Sequence, residues 1–295
     1  MNRISTSYQY SSYSHNIAST QQRYMQIQNQ IGTGKRIQNP SDDPMGVASI
    51  VNMRSLKSAS ERYQNNLKVG EGVLKFSEEA LADTSTLFRR AYQLAVSGAN
   101  AATDQTGREA MVREVTEMQK RLVSVANSRG PNNSYIFAGQ KVDTQPFTQN
   151  TTDITYNGDT NSIIVQTSPT ETLAVNVNAG QMFVDAYATL ESLKNNLQSG
   201  NTGAISGIDI TEVQNVMRQM DNERGAIGAK LHQVQTLETD YQRRIDEFSN
   251  RISEVEDVDM ATAITEYHLA ETAYTAALNV ASQGFRLSLM DFIRG

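Results

Sequence analysis

Apolar residues recur every three or four positions at both ends of this 295-residue chain. Toward the C-terminus the series is Ile264, Tyr267, Tyr274, Leu278, Ala281, Phe285, Leu289 and Phe292, with Glu271 the one acid inside it. Toward the N-terminus it is Tyr10, Tyr13, Ile17, Tyr24, Ile27 and Ile31, with Thr20 filling the single gap. Such spacing lines up side chains along a narrow face of an α-helix. Chain ends fray unless something ties them down, so two seamed ends point to helices held by each other or by neighbouring chains. Burying one Leu, Ile or Phe is worth roughly 1.5–3 kcal/mol, and an exposed stripe would exceed the apolar patch a soluble monomer tolerates. Two helices alone make a thin core, which favours further subunits. The same spacing also suits the core faces of one helical bundle, and spacing does not choose between burial within and between chains.

Composition narrows the function. Hydrophobic residues make up 38% and aromatics 7%, mean hydropathy is negative, and Ser, Thr, Asn and Gln are abundant, which favours elongated shape over a thick core. A net charge of −6 with no dense Lys/Arg run argues against nucleic acid or an anionic membrane as partner. No stretch approaches the ~18 apolar residues of a membrane span. With no cysteine there is no disulfide, thiolate nucleophile or Cys-ligated metal. The opening Met1-Asn2-Arg3-Ile4-Ser5-Thr6-Ser7 lacks the apolar core of a secretory signal, so the expectation is a chain that stays inside or leaves without a cleaved signal.

The pattern predicts helices, then a sheet-bearing insert, then helices. The first seam ends at Gly32-Thr33-Gly34, after which Ser41 or Asp42 is placed to cap a long helix with Pro44 in its first turn. That helix carries Val47, Ile50, Met53, Tyr63, Leu67, Leu74, Leu81, Phe88, Ala91 and Ala95 and stops near Gly98; Thr106 to Glu109 fits a capping box for the next. Ile154–Tyr156 and Ile163–Val165 read as strands around Asn157-Gly158, with Thr172–Val177 a third, and Phe183, Tyr187, Leu190, Leu193 and Leu197 mark one helix. Helix returns at Asp209, spaced for a capping box with Glu212, and runs to about Asp257. The expected fold is mainly α with a small β-rich insert: an elongated rod of long antiparallel helices carrying a small α+β domain. The expected divisions are 1–40 with 259–295, 41–140 with 205–258, and 141–204.

No residue set carries catalysis. His15, His232 and His268 sit in no metal-binding pattern, the H-E-x-x-H signature is absent, and no phosphate loop, activated nucleophile or cofactor fingerprint is found. Asp42, Asp43, Asp257 and Asp259 resemble a carboxylate cation site less than acids at helix N-termini, where the dipole favours them by ~0.3–1 kcal/mol. Glu271 in the seam either pairs across a helix or subunit contact and fixes register, or lies at the seam edge in water. Gly225 and Gly228, each costing about 1 kcal/mol in a helix, point to close helix packing. No cofactor, metal or enzymatic activity is expected.

Three segments resemble the bacterial flagellin family. They are Ile31-Gly32-Thr33-Gly34-Lys35-Arg36-Ile37 with Asn39-Pro40-Ser41-Asp42-Asp43-Pro44, then Ser134-Tyr135-Ile136-Phe137-Ala138-Gly139, then Glu256-Asp257-Val258-Asp259-Met260-Ala261. Within the family, the Tyr-Ile-Phe-Ala-Gly run and the compact insert are similar to subunits of the hook–filament junction more than to filament flagellins. The resemblance implies that the terminal helices form the inner coiled-coil layer of a helical tube, with the insert outermost. It implies export without a cleaved signal, through the flagellar type III route, to an extracellular place in the flagellum. The partners it implies are copies of the chain in a helical ring, the first hook-associated protein on the hook side, flagellin on the filament side, and an export chaperone beforehand. The assembly interface expected from the seams comprises Tyr10, Tyr13, Ile17, Tyr24, Ile27, Ile31, Ile264, Tyr267, Glu271, Tyr274, Leu278, Ala281, Phe285, Leu289 and Phe292. The alternatives are a short filament flagellin, or a secreted coiled-coil adhesin that touches its target through the sheet insert.

Overall fold

The computed structural model describes residues 6–100, 102, 104–130 and 133–294, with side chains left aside at 6, 7, 9 and 284–294. The long apolar periods become seven helices among the described residues: α1 (Thr6–Thr33), α2 (Pro44–Gly98), α3 (Gln105–Ala126), α4 (Gly180–Ser199), the single turn α5 (Thr202–Ala204), α6 (Ile210–Glu256) and α7 (Met260–Arg294). A π-helical turn, Ile205–Asp209, joins α5 to α6. Four short strands, β1 (Phe147–Gln149), β2 (Ile154–Tyr156), β3 (Ile164–Gln166) and β4 (Thr172–Ala174), lie between α3 and α4. The fold is mainly α with a small β-bearing insert.

The chain divides into two compact units, Met1–Ser58 with Arg244–Gly295, and Ala59–Arg243. In the second unit the heptad-like steps of α2 bury Leu67, Leu74, Leu81 and Phe88 completely. They share one core with Val115 and Leu122 of α3, Phe183, Leu190, Leu193 and Leu197 of α4, and Val213, Val216 and Met220 of α6. Phe137 and Phe147 both pack edge-on against Phe183, at ring centroid distances of 4.9 and 5.4 Å, and so fasten the insert to α4.

Local chemistry moves several boundaries from where the sequence pattern put them. The strands pair as two separate antiparallel hairpins, β1 with β2 and β3 with β4, so Asn157-Gly158 is not a hairpin turn. The turn between β1 and β2 is Asn150–Asp153: the Asn150 amide donates to the Asp153 carbonyl at 2.8 Å and its side chain to the Asp153 carboxylate at 2.6 Å. Asn157 is occupied instead by Thr148, 2.8 Å away. α3 starts two residues early, because the Asp104 carboxylate accepts from the Gly107 amide at 2.8 Å and supersedes the Thr106 capping box. Asp209 is not a cap either. Asn201 caps the helical run at 3.1 Å from the Ala204 amide, which leaves Asp209 inside it, buried and accepting from Ser192 at 2.7 Å and Asn196 at 2.8 Å. Gly225 and Gly228 face open space, since an added Cβ would meet nothing within 4 Å, so they are not close-packing sites.

Candidate assembly interface

In the first unit α1 and α7 pack antiparallel, and the reason lies in the matching of sizes. The inward positions of α1 are Tyr13, Ile17, Thr20, Tyr24, Ile27 and Ile31, all buried or half-buried, in alternating steps of four and three. Opposite them α7 presents Ala263, Tyr267, Ala270, Tyr274, Ala277 and Ala281 in the same alternation. Bulky residues on one helix meet mostly alanines on the other, with Ala263 at 5%, Ala270 at 6% and Ala281 at 2% exposure. Tyr24 fits between two tyrosines: its hydroxyl lies 2.8 Å from that of Tyr267, and its ring stacks on Tyr274 at 6.0 Å. The hydrogen bond to Tyr267, burial, and the negative Glu271 together push the Tyr24 phenol up to about 12.

Of the residues expected at the interface, the structure places Tyr13, Ile17, Tyr24, Ile27, Ile31, Tyr267, Tyr274 and Ala281 in this seam. Ile264, Leu278 and Glu271 are exposed outside it, and Tyr10, the next position of the α1 register, is 37% exposed. The side chains of Phe285, Leu289 and Phe292 lie outside the described residues. Glu271 sits 3.6 Å from His268 on its own helix, with no partner across the seam among the described contacts. The three alanines Ala263, Ala270 and Ala277 carry little hydropathy, and continuing the heptad register back from Ala281 through Tyr274 and Tyr267 would have found them.

Helical periodicity puts the exposed apolar residues of α7 on two flanks, one either side of the seam. Met260, Ile264 and Leu278 lie on one, with Glu271 among them; Leu269 and Val280 lie on the other. Their exposures run from 41% for Leu278 to 66% for Leu269. α1 likewise leaves Tyr8 and Met25 in water. The apolar arc of α7 is therefore wider than one neighbouring helix covers.

A clasp holds the loop after α1 to the turn between α6 and α7. Lys35 and Asp257 form an isolated antiparallel bridge, the Arg36 amide donates to the Glu256 carbonyl at 2.7 Å, and the Val258 amide donates to the Gly34 carbonyl at 3.0 Å. Gly34 makes the turn with φ +71°. The buried Glu256 carboxylate then takes Lys35 and Arg54, each at 2.6 Å, and the Lys35 hydrogen bond foremost holds its carboxyl below the usual range. Asp43, not Ser41 or Asp42, caps α2, accepting from the Gly46 amide at 2.8 Å. Asp42 instead turns back onto the amides of Asn39 and Gln38, at 2.8 and 3.0 Å. Asp259 caps α7 through the Ala261 amide and the Thr262 hydroxyl, at 3.0 and 2.8 Å. These bonds lower the pKa of all three aspartates.

Among the described residues no three His, Cys, Asp or Glu side chains come together as metal ligands, and His15, His232 and His268 are exposed. No described helix is long and apolar enough to cross a membrane.

The chain matches the bacterial flagellin N-terminal helical region over residues 4–142 and the bacterial flagellin C-terminal helical region over residues 208–293. It is 24% identical to flagellar hook-associated protein 3 of Salmonella typhimurium, covering 99% of this chain and 100% of that protein. It is 22% identical to flagellin of Listeria monocytogenes, covering 88% and 87% respectively. Among solved structures, a putative flagellar hook-associated protein from Vibrio parahaemolyticus superposes with a TM-score of 0.68 at 18% identity, over 73% of this chain and 100% of that one.

Proposed function

Since the chain belongs to the bacterial flagellin family, we propose that it is the subunit of the hook–filament junction, seated between the first hook-associated protein and flagellin. It is a structural flagellar protein homologous to hook-associated protein 3, and its homologues are not enzymes. The observation that carries the junction reading is end-to-end similarity to hook-associated protein 3 that includes the insert, residues 143–207, which neither helical-region model covers.

The wide apolar arc of α7 supports assembly through the terminal helices. Burying half-exposed Ile264, Leu269, Leu278 and Val280 against further copies would yield roughly 1 kcal/mol each. In this reading residues 1–40 and 259–295 form the inner layer of a helical tube, 41–140 and 205–258 the next, and 141–204 the outside. Before assembly an export chaperone covers the C-terminal stripe by taking its apolar face into a groove. The chain reaches the outside of the cell through the flagellar export channel, a route that suits a sequence without cysteine.

The similarity to flagellins favours a second reading, a short filament subunit. Deleting the gene in its own bacterium and imaging the flagella separates the two. Hooks without filaments, with flagellin shed into the medium, are expected for a junction subunit. Intact motile filaments would overturn the junction reading, and loss of filament mass on persisting junctions would favour the filament subunit.

A further inference from the structure

We propose that Tyr24 and Tyr267 form an oxidative modification site, at which a one-electron oxidant of the peroxidase–peroxide class joins α1 to α7 through a dityrosine bond. The two phenol oxygens are 2.8 Å apart and the ring centroids 5.1 Å apart, tilted by 32°. Dityrosine forms between the Cε carbons, which flank the phenol oxygen, and rings lying side by side with their oxygen ends converging bring those carbons toward each other. Both residues are half-buried, open enough for electron transfer yet held by packing.

Two other tyrosine pairs among the described residues lack this arrangement. Tyr63 and Tyr241 approach to 5.7 Å, but the Tyr241 hydroxyl is directed to the Thr167 carbonyl. Tyr24 and Tyr274 stack nearly parallel at 6.0 Å. The rest of the chain gives a radical few places to go, since it contains no tryptophan and no cysteine to take the oxidation from a tyrosyl. Six of its 12 tyrosines, Tyr8, Tyr10, Tyr13, Tyr24, Tyr267 and Tyr274, belong to the two terminal helices. The Tyr24 phenol, pushed up to about 12 by its hydrogen bond to Tyr267 foremost, stays protonated at physiological pH.

The chemistry balances simply. Each phenol gives one electron to the oxidant and one proton to water, a Cε–Cε bond forms between the radicals, and each Cε hydrogen moves through solvent to its own oxygen. The chain loses two hydrogens in all; a peroxide receiving them becomes two waters. The product is a covalent staple between residues 24 and 267 in a protein that has no means of making a disulfide. The proposal concerns one chain's own seam and stands apart from the junction reading.

The test uses the full chain, dilute and purified, with photolysed tris(bipyridyl)ruthenium as the oxidant and persulfate as the final electron acceptor. The expected product is a monomer lighter by two hydrogens, with blue dityrosine emission and a Tyr24–Tyr267 cross-linked peptide pair after proteolysis. Coupling within the chain should exceed coupling between chains on the order of a thousandfold, the ratio of a millimolar effective concentration to a micromolar chain. Tyr24→Phe and Tyr267→Phe should abolish the product while Tyr274→Phe and Tyr241→Phe keep it. A cross-link mapped to Tyr63–Tyr241, predominantly interchain dityrosine, or an unchanged yield in Tyr24→Phe would overturn the assignment. The peptide map of the unaltered chain decides the matter even if a Phe variant loses helix.

Discussion

Replacing Glu256 by glutamine removes one charge and leaves nearly the same shape, so it isolates what the clasp owes to electrostatics. The Glu256 side chain is 10% exposed, but Lys35 and Arg54 keep side-chain exposures of 47% and 54%. A hydrogen bond to a charged group contributes about 1.5–3 kcal/mol, whereas an exposed ion pair contributes about 0.2–1 kcal/mol. A buried acid with two half-solvated cations falls between these limits, and glutamine retains neutral versions of both contacts. The expected loss for Glu256→Gln is therefore about 1–2 kcal/mol in the first unit.

The place to read that loss is the clasp itself. The amides of Arg36 and Val258 are bonded across it, so their hydrogen exchange should quicken by about tenfold for each 1.4 kcal/mol lost. Amides of the second unit, such as those around Leu122 and Leu190, should not change. Acid supplies an independent axis. The Glu256 carboxyl is depressed in the folded chain, so its contribution is complete above the ordinary glutamate value of about 4.3 and is lost as pH falls through the lower folded value. Clasp exchange should accelerate through that window in the native chain and much less in the variant. A loss under about 0.5 kcal/mol, the range of ordinary surface substitutions, would refute the reasoning. So would an identical acid response in the two chains.

Ala270→Leu should cost about 1–3 kcal/mol by overpacking against α1, read as a lower thermal midpoint of the first unit. Leu269→Ser should leave the dilute chain within about 0.5 kcal/mol of native, since Leu269 is already 66% exposed, and should weaken self-association measured by sedimentation. Gly46→Ala should destabilise by about 1–3 kcal/mol, because its Cβ would come 2.5 Å from the Asp43 carboxylate and 2.9 Å from Ile37; Gly228→Ala, facing open space in a helix, should stabilise by about 0.4–1 kcal/mol in the same denaturant titration. The Tyr24 phenol, raised to about 12, adds stability that is full below the ordinary value near 10 and fades as pH rises toward 12, so Tyr24→Phe should flatten the alkaline loss of helix followed by circular dichroism.

The long helices were legible because each buries one face; the single turn α5, which buries none, was not. Leu67, Leu74, Leu81 and Phe88 repeat every seven residues, and α2 runs 55 residues through Gly70 and Gly72 without a break. Gly70 is even required, since a Cβ there would meet Val175 at 2.6 Å. Three of the four strands were legible, since β2, β3 and β4 fall at the runs read as strands, but their pairing was not, and β1 was missed because Phe147 is its sole apolar residue. Their pairing rests on side-chain turns such as Asn150 with Asp153, which hydrophobic pattern does not encode. Caps failed for a related reason. Thr106 and Asp209 have the right spacing to a following glutamate, yet Asp104 and Asn201 lie upstream and take the role first.

In the terminal helices the sequence pattern ran two faces of α7 together. The three-four rhythm joined Tyr267, Tyr274 and Ala281, which face α1, to Ile264 and Leu278, which do not. Hydropathy cannot separate the two, because the seam on α7 is the less hydrophobic of them, being largely alanine. Size separates them. Tyr13, Ile17, Tyr24, Ile27 and Ile31 fill the space between the helices from the α1 side, so bulk at Ala263, Ala270 and Ala281 would drive the helices apart. Alanine is then selected where the two helices of one chain meet, and leucine, isoleucine and valine are left where they do not. That inversion explains why Ile264, Leu269, Leu278 and Val280, among the described residues of α7, are exposed, and why they are the ones to mutate when separating folding of the chain from assembly between chains.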